Sequence, residues 1–377
     1  MNATAGPPTL LVIQLTGGND FLNTVIPQAN GLYYDYRPSL SVDQDRVLPL
    51  NNELALHPGA DAFKKLYDQG KLAIILGVGY PNPSRSHFLS MLKWHTCEPS
   101  RPTTEGWLGR VIREFDPNHE NVLTGVNFGK GLPQAVVSRG VPVTSLANLD
   151  NYGLMYGISD QEKALQQFKQ MYGPTMGAGP VMEYLTETGL GLVAGAEELK
   201  LKVPDSYESD VDYGSSEIAN VLRDVARIHL AKVGTRVFYV NQSGYDTHAG
   251  QMSAHGFLLR DLSHAVTNFY QDLEEQSEAD NVLTLVFSEF GRRVKDNGSG
   301  TDHGAAGVAF LIGNSVRGGL YGEYPSLERG ALLNGEDLDH TYDFRGLYAT
   351  VLEQEMGLDA NNIVGGTFEQ IPAIRRQ

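Results

Sequence analysis

Continuous apolar runs recur along the chain and are separated by stretches in which polar and apolar residues mix. Such runs lack the alternation of a half-exposed strand and are typical of parallel strands that are covered on both faces. They lie at 9–15, 71–79, 134–138, 235–242, 281–290 and 307–313. We therefore predict a buried strand at each of these positions, with the shortest at 134–138.

Between these runs, apolar residues recur at the spacing of amphipathic helices. The helical segments lie at 60–70, 86–95, 215–234, 255–275 and 341–357. Gly70 and Gly357 stand at the ends of two of them, where glycine commonly terminates a helix. Strands that alternate with helices predict an α/β fold with a mostly parallel sheet.

The character of the chain changes from about 150 to 210. Apolar runs disappear there, and polar helical stretches such as "ISDQEKALQQFKQMYG" replace them. Ser159 is suited to the N-cap of one such helix. We expect a helical insertion or lid at 150–210, within a single α/β domain that spans residues 1–377.

Composition and charge narrow the classes of function. The 377 residues carry a net charge of −16, and no run of lysine and arginine is longer than two residues. Binding to a phosphate backbone requires a basic surface, so nucleic acid is not expected as a partner. The single cysteine, Cys97, excludes an intramolecular disulfide and a cysteine-based zinc site.

Cellular location stays open at this level. No apolar run approaches the roughly 20 residues of a membrane span. We expect no signal peptide within the N-terminal "MNATAGPPTL", because it leads directly into the first predicted strand. We expect a periplasmic or secreted protein if a leader has been removed, and a cytoplasmic protein otherwise. The sequence gives no indication of the oligomeric state.

Ionisable and polar residues follow four of the predicted strands, at the carboxyl end of each. They are Asn19 and Asp20 after the first strand; Ser84, Arg85, Ser86 and His87 after the second; Asp246 and His248 after the strand at 235–242; and Glu289, Arg292, Asp302 and His303 after the strand at 281–290. Parallel strands point the same way, so these groups should meet at one edge of the sheet. That edge is where open α/β sheets bind their ligands.

The mixture of acids and histidines at this edge predicts a metal site. Carboxylates that lie close together repel one another unless a cation lies between them. Carboxylate oxygens and imidazole nitrogens are donors that suit Zn²⁺, Mn²⁺ or Mg²⁺. We therefore expect a divalent ion at the strand ends.

Each of these residues also has an ordinary structural explanation. Asp20 suits a turn or a helix N-cap, Ser86 suits the N-cap of the next helix, and His87 suits packing within that helix. Asp246 and His248 suit a pair on the surface. The coincidence of four such strand ends favours one common site over separate explanations.

Several segments of the chain resemble the DUF1501 family of bacterial proteins, over about residues 9–370. They are "LTGGNDFLNTVIP", "YPNPSRSHF", "GWLGR", "GYDTHAGQ", "FSEFGRRVKDNGSGTDHG", "GGLYG" and "DFRGLYATVLE". The family is similar in outline to the alkaline phosphatase and sulfatase superfamily, which has a doubly wound α/β sheet and binds divalent metals at its carboxyl edge. The resemblance implies a doubly wound sheet with helices on both faces here. Members of the family often carry an export leader.

The resemblance also implies roles for the charged strand ends. Asp20 takes the place of an aspartate ligand of one metal, and Asp246 and His248 take the places of ligands of the other. Glu289 takes the place of the aspartate in a strand-end Asp-His pair, and His303 that of a late histidine ligand. One or two divalent ions (Zn, Mn, Ca or Mg) are then expected.

The implied nucleophile and anion-binding groups come from two of the strand ends. Ser86, or alternatively Ser84, stands where the superfamily has its nucleophile. Arg85 or Arg292 would neutralise the oxygens of the substrate, because a guanidinium matches two oxygens at once.

The chain departs from the superfamily pattern at one ligand position. Phe290 stands where the Asp-His pair would have its histidine, so one metal loses a ligand unless Asp302 replaces it. Asn19 and His87 remain as residues that would contact the substrate.

These expectations lead to a metal-dependent hydrolase of small, anionic phosphate or sulfate esters with a serine nucleophile. Two alternatives stay open. One is a phosphomutase or phosphotransferase that uses the same site, and the other is a non-catalytic protein that binds a metal and an anion. The phenylalanine at position 290 favours the last of these.

Overall fold

The structure is a computed structural model that describes residues 6–98, 104–129, 131–149 and 209–375, together with isolated positions between 160 and 207. The strands are β1 (Thr9–Thr16), β2 (Val25–Ile26), β3 (Leu48–Pro49), β4 (Ala55–Leu56), β5 (Leu72–Gly79), β6 (Gly125–Phe128), β7 (Thr144–Leu146), β8 (Val237–Ser243), β9 (Val282–Ser288), β10 (Gly307–Ile312), β11 (Gly319–Tyr321) and β12 (Tyr342–Asp343). The α-helices are α1 (Phe21–Thr24), α2 (Gly31–Tyr36), α3 (Asp61–Asp68), α4 (His87–Thr96), α5 (Trp107–Phe115), α6 (Glu217–Leu230), α7 (Gln251–Glu275), α8 (Phe344–Gln354) and α9 (Ala360–Val364).

Nine of the described strands form one sheet, in the order β11-β5-β10-β9-β1-β8-β6-β7 with β12 beside β5. β1 is parallel to β8 on one side and to β9 on the other. β10 runs antiparallel to both β9 and β5, so β5 points in the same direction as β1, β8 and β9. The carboxyl ends of these four strands therefore lie at one edge of the sheet, as the sequence predicts.

The sheet is buried on both faces. Successive side chains of a strand point to opposite faces, and on β1 both sets lie in a hydrophobic core. On β1, Leu11, Ile13 and Leu15 belong to one hydrophobic core, whereas Leu10 and Val12 belong to a second core on the other face. Helices α3, α6 and α7 contribute to the first core, and α4, α5, α8 and α9 contribute to the second. The predicted α/β fold, with helices on both faces of a mostly parallel sheet, is confirmed.

The predicted strand at 134–138 is wrong. Gln134–Val136 forms a single turn of 3-10 helix, and Ala135 is fully buried. The segment packs against the residue before α5, where a Cβ on Gly106 would lie 2.0 Å from the carbonyl oxygen of Gln134. Burial beside a helix explains why the run is apolar although it does not join the sheet.

Other differences concern short or partly described segments. Helix α5, which begins in "GWLGR", and strands β6 and β7 have no sequence prediction. The predicted helix at 341–357 begins only at Phe344 and is followed by α9. The predicted insertion at 150–210 lies mostly outside the described residues. Among the described residues, no helix combines the length and apolar character that a membrane crossing needs.

An aromatic stack fixes the helix that starts next to the strand ends. The Trp94 ring in α4 lies 4.8 Å from the Phe287 ring in β9 and 4.5 Å from the Phe344 ring in α8, and both pairs are stacked. Stacked aromatic pairs bury large areas and add a directional contact. The stack therefore ties α4, and with it the position of His87, to the sheet.

Two buried histidines, His95 in α4 and His229 in α6, are uncharged near neutral pH. The Nε2 atom of His95 lies 2.7 Å from Oε1 of Gln14, and 3.1 Å from the hydroxyl of Tyr239. Burial lowers the pKa of His95 from 6.5 to about 4 and that of His229 to about 4. The folded protein therefore binds fewer protons at these rings than the unfolded chain does between pH 6.5 and 4.

We predict that the free energy of unfolding falls as the pH is lowered through this range, because protons bind the unfolded histidines first. A His95→Gln variant should show a shallower fall, by about 2 kcal/mol between pH 7 and pH 5. Urea unfolding at each pH measures the slope. The matched control is His264→Gln, at an exposed histidine of α7. Equal slopes for the parent and the His95 variant would contradict the prediction.

Candidate metal centre

β1 leads into a tight turn at Gly17 and Gly18, where the chain passes close to two other strand ends. Both glycines have positive φ values, 123° and 81°. A Cβ on Gly17 would lie 2.3 Å from the backbone nitrogen of Asp246, and a Cβ on Gly18 would lie 2.4 Å from the ring of Phe290. Glycine is therefore required here, and it lets the ends of β1, β8 and β9 approach one another.

Arg292 is fully buried and joins these strand ends. Its guanidinium donates to the carbonyl oxygens of Gly17, Gly18, Tyr245 and Thr301 and to Oδ1 of Asp246. The bond to Asp246 is 2.7 Å long. Each nitrogen of Arg292 thus has an acceptor within the protein, so the structure shows Arg292 as a bridge between loops, whereas the sequence predicts it as an anion-binding group.

Three histidines and an aspartate converge at the same edge. Nε2 of His303 lies 3.1 Å from Nε2 of His87 and 3.0 Å from Nε2 of His248. Oδ1 of Asp246 lies 3.0 Å from Nε2 of His303 and 3.1 Å from Nε2 of His248. We name His87, Asp246, His248 and His303 the histidine cluster.

The other ring nitrogen of each histidine has an acceptor of its own. Nδ1 of His87 donates to Oε1 of Glu289 at 2.8 Å. Nδ1 of His248 donates to Oδ1 of Asp302 at 3.0 Å. Nδ1 of His303 donates to the backbone carbonyl of Arg85 at 2.8 Å. Because ionised carboxylates and carbonyls only accept, a neutral ring in each place carries its proton on Nδ1, and the lone pairs of Nε2 face one another.

This arrangement fits a divalent ion. Lone pairs that face each other at 3.0–3.1 Å repel unless a cation or a proton lies between them. Tetrahedral zinc with bonds of about 2.0 Å has its ligand atoms roughly 3.3 Å apart. Zinc-binding histidines also commonly donate their second nitrogen to a carboxylate or a carbonyl. The donor types, the spacing and the tautomers of the cluster agree with such a site.

Glu289 lies behind the cluster and orients His87. Its side chain is fully buried. Besides His87, Oε1 accepts the N–H of Gly17 at 2.9 Å, and Oε2 accepts the hydroxyl of Ser288 at 3.0 Å. Asp302 has the corresponding position behind His248. The sequence predicts both acids as ligands. In the structure each acid contacts the Nδ1 atom of a histidine, on the far side of the ring from the converging Nε2 atoms.

The electrostatics of the cluster favour an ionised aspartate. Partial burial would raise the pKa of Asp246, but the hydrogen bond from Arg292 and its positive charge outweigh burial and lower the pKa to about 2. The hydrogen bond to Glu289 raises the pKa of His87. A negative oxygen therefore faces the imidazole nitrogens over the whole neutral pH range.

Asp20 does not take part in the cluster. Its carboxylate is buried and forms a two-pronged ion pair with Arg37, at 2.6 Å and 3.1 Å, and it also accepts from the amide of Gln251. Burial alone would raise the pKa of Asp20, but Arg37 outweighs it and lowers the pKa. The sequence gives no indication of this partner, because a lone arginine in "YDYRPSL" forms part of no pattern.

Asn19 is also buried away from the converging atoms. Its N–H donates to the hydroxyl of Ser288 at 2.9 Å, and its Oδ1 lies 2.9 Å from Nε2 of His255. These contacts fix the turn after β1. The predicted contact of Asn19 with a substrate stays a prediction.

The loop before α4 is held against the cluster on both sides of Ser86. The carbonyl of Arg85 accepts from His303, and the next residue after Ser86 is His87 itself. Ser86 is the N-cap residue of α4, and its hydroxyl has no hydrogen-bond partner within the described ranges. The hydroxyl of Ser84, in contrast, accepts the N–H of Ser86 at 3.2 Å.

The guanidinium of Arg85 forms ion pairs with two acids, Glu336 and Asp337. Its Nη2 lies 2.9 Å from Glu336 and 2.7 Å from Asp337. Arg293 joins the same group through Glu336 at 3.2 Å. The predicted anion-neutralising role of Arg85 therefore competes with two carboxylates.

Phe290 is a packing residue for the cluster. Its ring centroid lies 4.8 Å from that of His87 and 5.0 Å from that of His303. An aromatic ring at this position supports two of the histidines from one side. The residue that departs from the superfamily pattern thus contacts the cluster without supplying a donor.

Comparisons with known proteins found one sequence family and several solved structures that are similar to this chain. A family described as "Protein of unknown function (DUF1501)" matches residues 77–370. No curated protein matches the sequence. Solved structures with similarity to this fold include a phosphonate monoester hydrolase from Silicibacter pomeroyi (11% identity, 96% of this chain and 76% of that chain, TM-score 0.43). They also include a sulfatase from Pseudoalteromonas sp. (13%, 99% and 74%, 0.40) and a protein in the alkaline phosphatase superfamily from Vibrio parahaemolyticus (11%, 96% and 69%, 0.40).

We predict that Asp20→Asn lowers the free energy of unfolding by about 3–5 kcal/mol, because it leaves the buried guanidinium of Arg37 without its charge partner. Metal bound per folded chain should stay unchanged, since the oxygens of Asp20 are already occupied. The control is Asp68→Asn, which breaks an exposed pair with Lys64 and should cost less than about 1 kcal/mol. Urea unfolding and elemental analysis measure the two quantities. Loss of metal at unchanged stability would identify Asp20 as a ligand after all.

Proposed function

We propose that this chain, which belongs to the DUF1501 family, is a metal-dependent hydrolase of phosphate or sulfate monoesters with Ser86 as its nucleophile. The observation that carries the proposal is the convergence of the three Nε2 atoms and Oδ1 of Asp246 in the histidine cluster. A serine hydroxyl without a hydrogen-bond partner in the described ranges lies in the chain directly before one of these histidines.

We assign His87, His248, His303 and Asp246 as the ligands of a single ion. Within the described part of the chain, His87, Asp246 and His303 are the group of acids and histidines whose ligand atoms all lie close enough to share an ion. His248 adjoins this group through Nε2 of His303, at 3.0 Å. Asp20 is paired with Arg37, and Glu289 accepts hydrogen bonds from His87 and from the N–H of Gly17. Three imidazoles and one carboxylate are borderline donors, which favours Zn²⁺ over Mg²⁺ or Ca²⁺.

A divalent ion held by these residues would act as a Lewis acid toward the phosphoryl or sulfuryl group if a substrate oxygen became an additional ligand. The hydroxyl oxygen of Ser86 attacks phosphorus or sulfur, and the bond to the alkoxide breaks. The hydroxyl proton goes to the alkoxide, which leaves as an alcohol. A water molecule then cleaves the seryl ester, which restores the hydroxyl and releases phosphate or sulfate.

The start of α4 supplies the remaining positive potential. The first amides of a helix have no acceptor within the helix, and the helix dipole favours an anion there. The first turn of α4 carries no acidic residue, and Ser86 makes no side-chain cap. These amides support a role in binding the non-bridging oxygens, a role that Arg85 and Arg292 cannot fill while they bind protein acceptors.

We predict about one equivalent of transition metal, chiefly zinc, per chain in the purified protein. His303→Ala should lose it, because His303 contacts the other three members of the cluster. His264→Ala, at an exposed histidine outside the cluster, should retain it. Elemental mass spectrometry of the parent and the two variants measures the metal content.

A further variant separates a ligand from an orienting residue. Glu289→Gln should weaken metal binding by about 10–100-fold without abolishing it, as for other residues that orient a ligand histidine. Absence of metal from the parent after reconstitution would overturn the metal site. Complete loss in Glu289→Gln at unchanged stability would make Glu289 a ligand.

We predict that Ser86→Ala lowers kcat on aryl phosphates or aryl sulfates by at least about 10³-fold while the metal stays bound. Ser84→Ala is the matched control at the neighbouring serine and should keep most of the activity. Steady-state assays of metal-loaded protein measure both. Full activity of Ser86→Ala would exclude the nucleophile, and transfer of the phosphoryl group to an added alcohol would indicate a phosphotransferase.

A further inference from the structure

A cavity of about 750 Å³ is bounded in part by Gly250 and Ser299, which belong to the loops that carry His248 and His303. Its walls come from the first turns of α7, from the loop at 39–46, from the segment at 57–59 and from Gly298 and Ser299. Cavities of roughly 300–1,000 Å³ are of the size that binds small organic ligands. The proposed chemistry of the cluster makes no use of this space.

The loops that carry His248 and His303 also supply Gly250, Gly298 and Ser299 to the wall of the cavity. The amide of Gly250 donates to the hydroxyl of Ser299 at 3.0 Å, and the side chain of Asn297 donates to the carbonyl of His248 at 3.0 Å. A Cβ on Gly300 would lie 2.2 Å from the carbonyl of Thr247. One side of this loop pair thus supports His248, and the other side bounds the cavity.

His57 offers a free hydrogen-bond donor in the wall of the cavity. The residue is 8% exposed, and its Nδ1 accepts the N–H of Gly59 at 2.9 Å. The proton of the neutral ring therefore lies on Nε2, which has no partner within the described residues. Burial lowers the pKa of His57 to about 4, so the ring is neutral near pH 7. A Cβ on Gly256, also in the wall, would lie 3.0 Å from the Cε1 atom of His57, so glycine keeps this edge of the ring open.

The charged residues of the cavity favour an anion. Arg46 and Arg260 line it, whereas Asp43 is the acid in its wall. Both arginines are exposed, and neither forms an ion pair within the described ranges. The guanidinium of Arg260 lies 4.8 Å from the centre of the Phe257 ring. On a chain with a net charge of −16, a positive cavity is a local exception.

We propose that the cavity binds the alcohol part of the ester, and that this part is hydroxyl-rich and carries a negative charge of its own, with the size of an acidic di- or trisaccharide. The inference rests on the proposed function for its connection to the cluster. Arg46 and Arg260 bind the extra anionic group, and His57 donates to a hydroxyl or ring oxygen. Phe257 offers an apolar face to a ring, and the serines at 41, 253 and 299 suit further hydroxyls.

The test uses the metal-loaded full chain and isothermal titration at 0.15 M salt. The probes are a sulfated heparin disaccharide, a phosphorylated maltotriose and, for comparison, neutral maltotriose. We expect at least one acidic probe to bind at least about tenfold more tightly than the neutral one. An Arg46→Ala/Arg260→Ala double variant should lose at least about tenfold in affinity for it.

Two further variants keep the test selective. Arg317→Ala/Arg329→Ala removes the same charge from exposed positions outside the cavity and should leave binding unchanged. Gly256→Ala covers the edge of His57 without a change in charge and should weaken binding. Absence of binding by both acidic probes, or equal weakening in the two double variants, would overturn the inference.

The same proteins distinguish this inference from the proposed function. A small aryl ester carries no second anionic group for Arg46 and Arg260, so its hydrolysis by the parent protein tests the proposed function alone. If the aryl esters are not cleaved but acidic saccharides bind through the two arginines, the proposed function fails and the cavity site stands. If the aryl esters are cleaved but no acidic saccharide binds, the opposite holds.

Discussion

The loops after β1, β8 and β9 meet at the buried guanidinium of Arg292, which donates to the turn at Gly17 and Gly18, to the carbonyls of Tyr245 and Thr301 and to Asp246. A buried cation is stable only when acceptors surround it. The carbonyls and the carboxylate satisfy this need, and the loops are held together as a consequence. The glycine turn, the position of Asp246 and the convergence of the histidines all depend on these hydrogen bonds of Arg292.

A second consequence concerns the acids at the edge of the sheet. Several carboxylates in one place require positive charge nearby, and the fold supplies it in different ways. Asp20 has Arg37, Asp246 has Arg292, and Glu289 has the N–H of His87 and of the glycine turn. Most of the acids therefore orient or neutralise other groups, and this is why we propose a single ion for the cluster. The carboxylate behind His87 also sets the tautomer that a metal ligand needs.

The loops that carry His248 and His303 bound the cavity as well as the cluster. We propose different roles for the two sites. In the proposed function, the cluster and the start of α4 bind the charged group that reacts. The cavity, with Arg46, Arg260 and His57 in its wall, would bind what is attached to that group. Chemistry at the cluster needs rigid ligands held by buried contacts, whereas the exposed arginines of the cavity can change without disturbing the fold. Variation of substrate among such proteins is expected on the cavity side.

The sequence by itself determined the alternation of strands and helices, the buried sheet and the set of residues at its carboxyl edge. These features are local, because an apolar run and the polar residues that end it lie next to each other in the chain. The apolar run at 134–138 led to a wrong strand prediction, since burial beside a helix produces the same apolar run as burial in a sheet. Only the tertiary structure decided which edge residues touch. Arg37 pairs with Asp20, Glu289 lies behind His87, and His87 meets His303, which in turn meets His248. These contacts depend on how separate loops pack around Arg292. Spacing along the chain does not encode them.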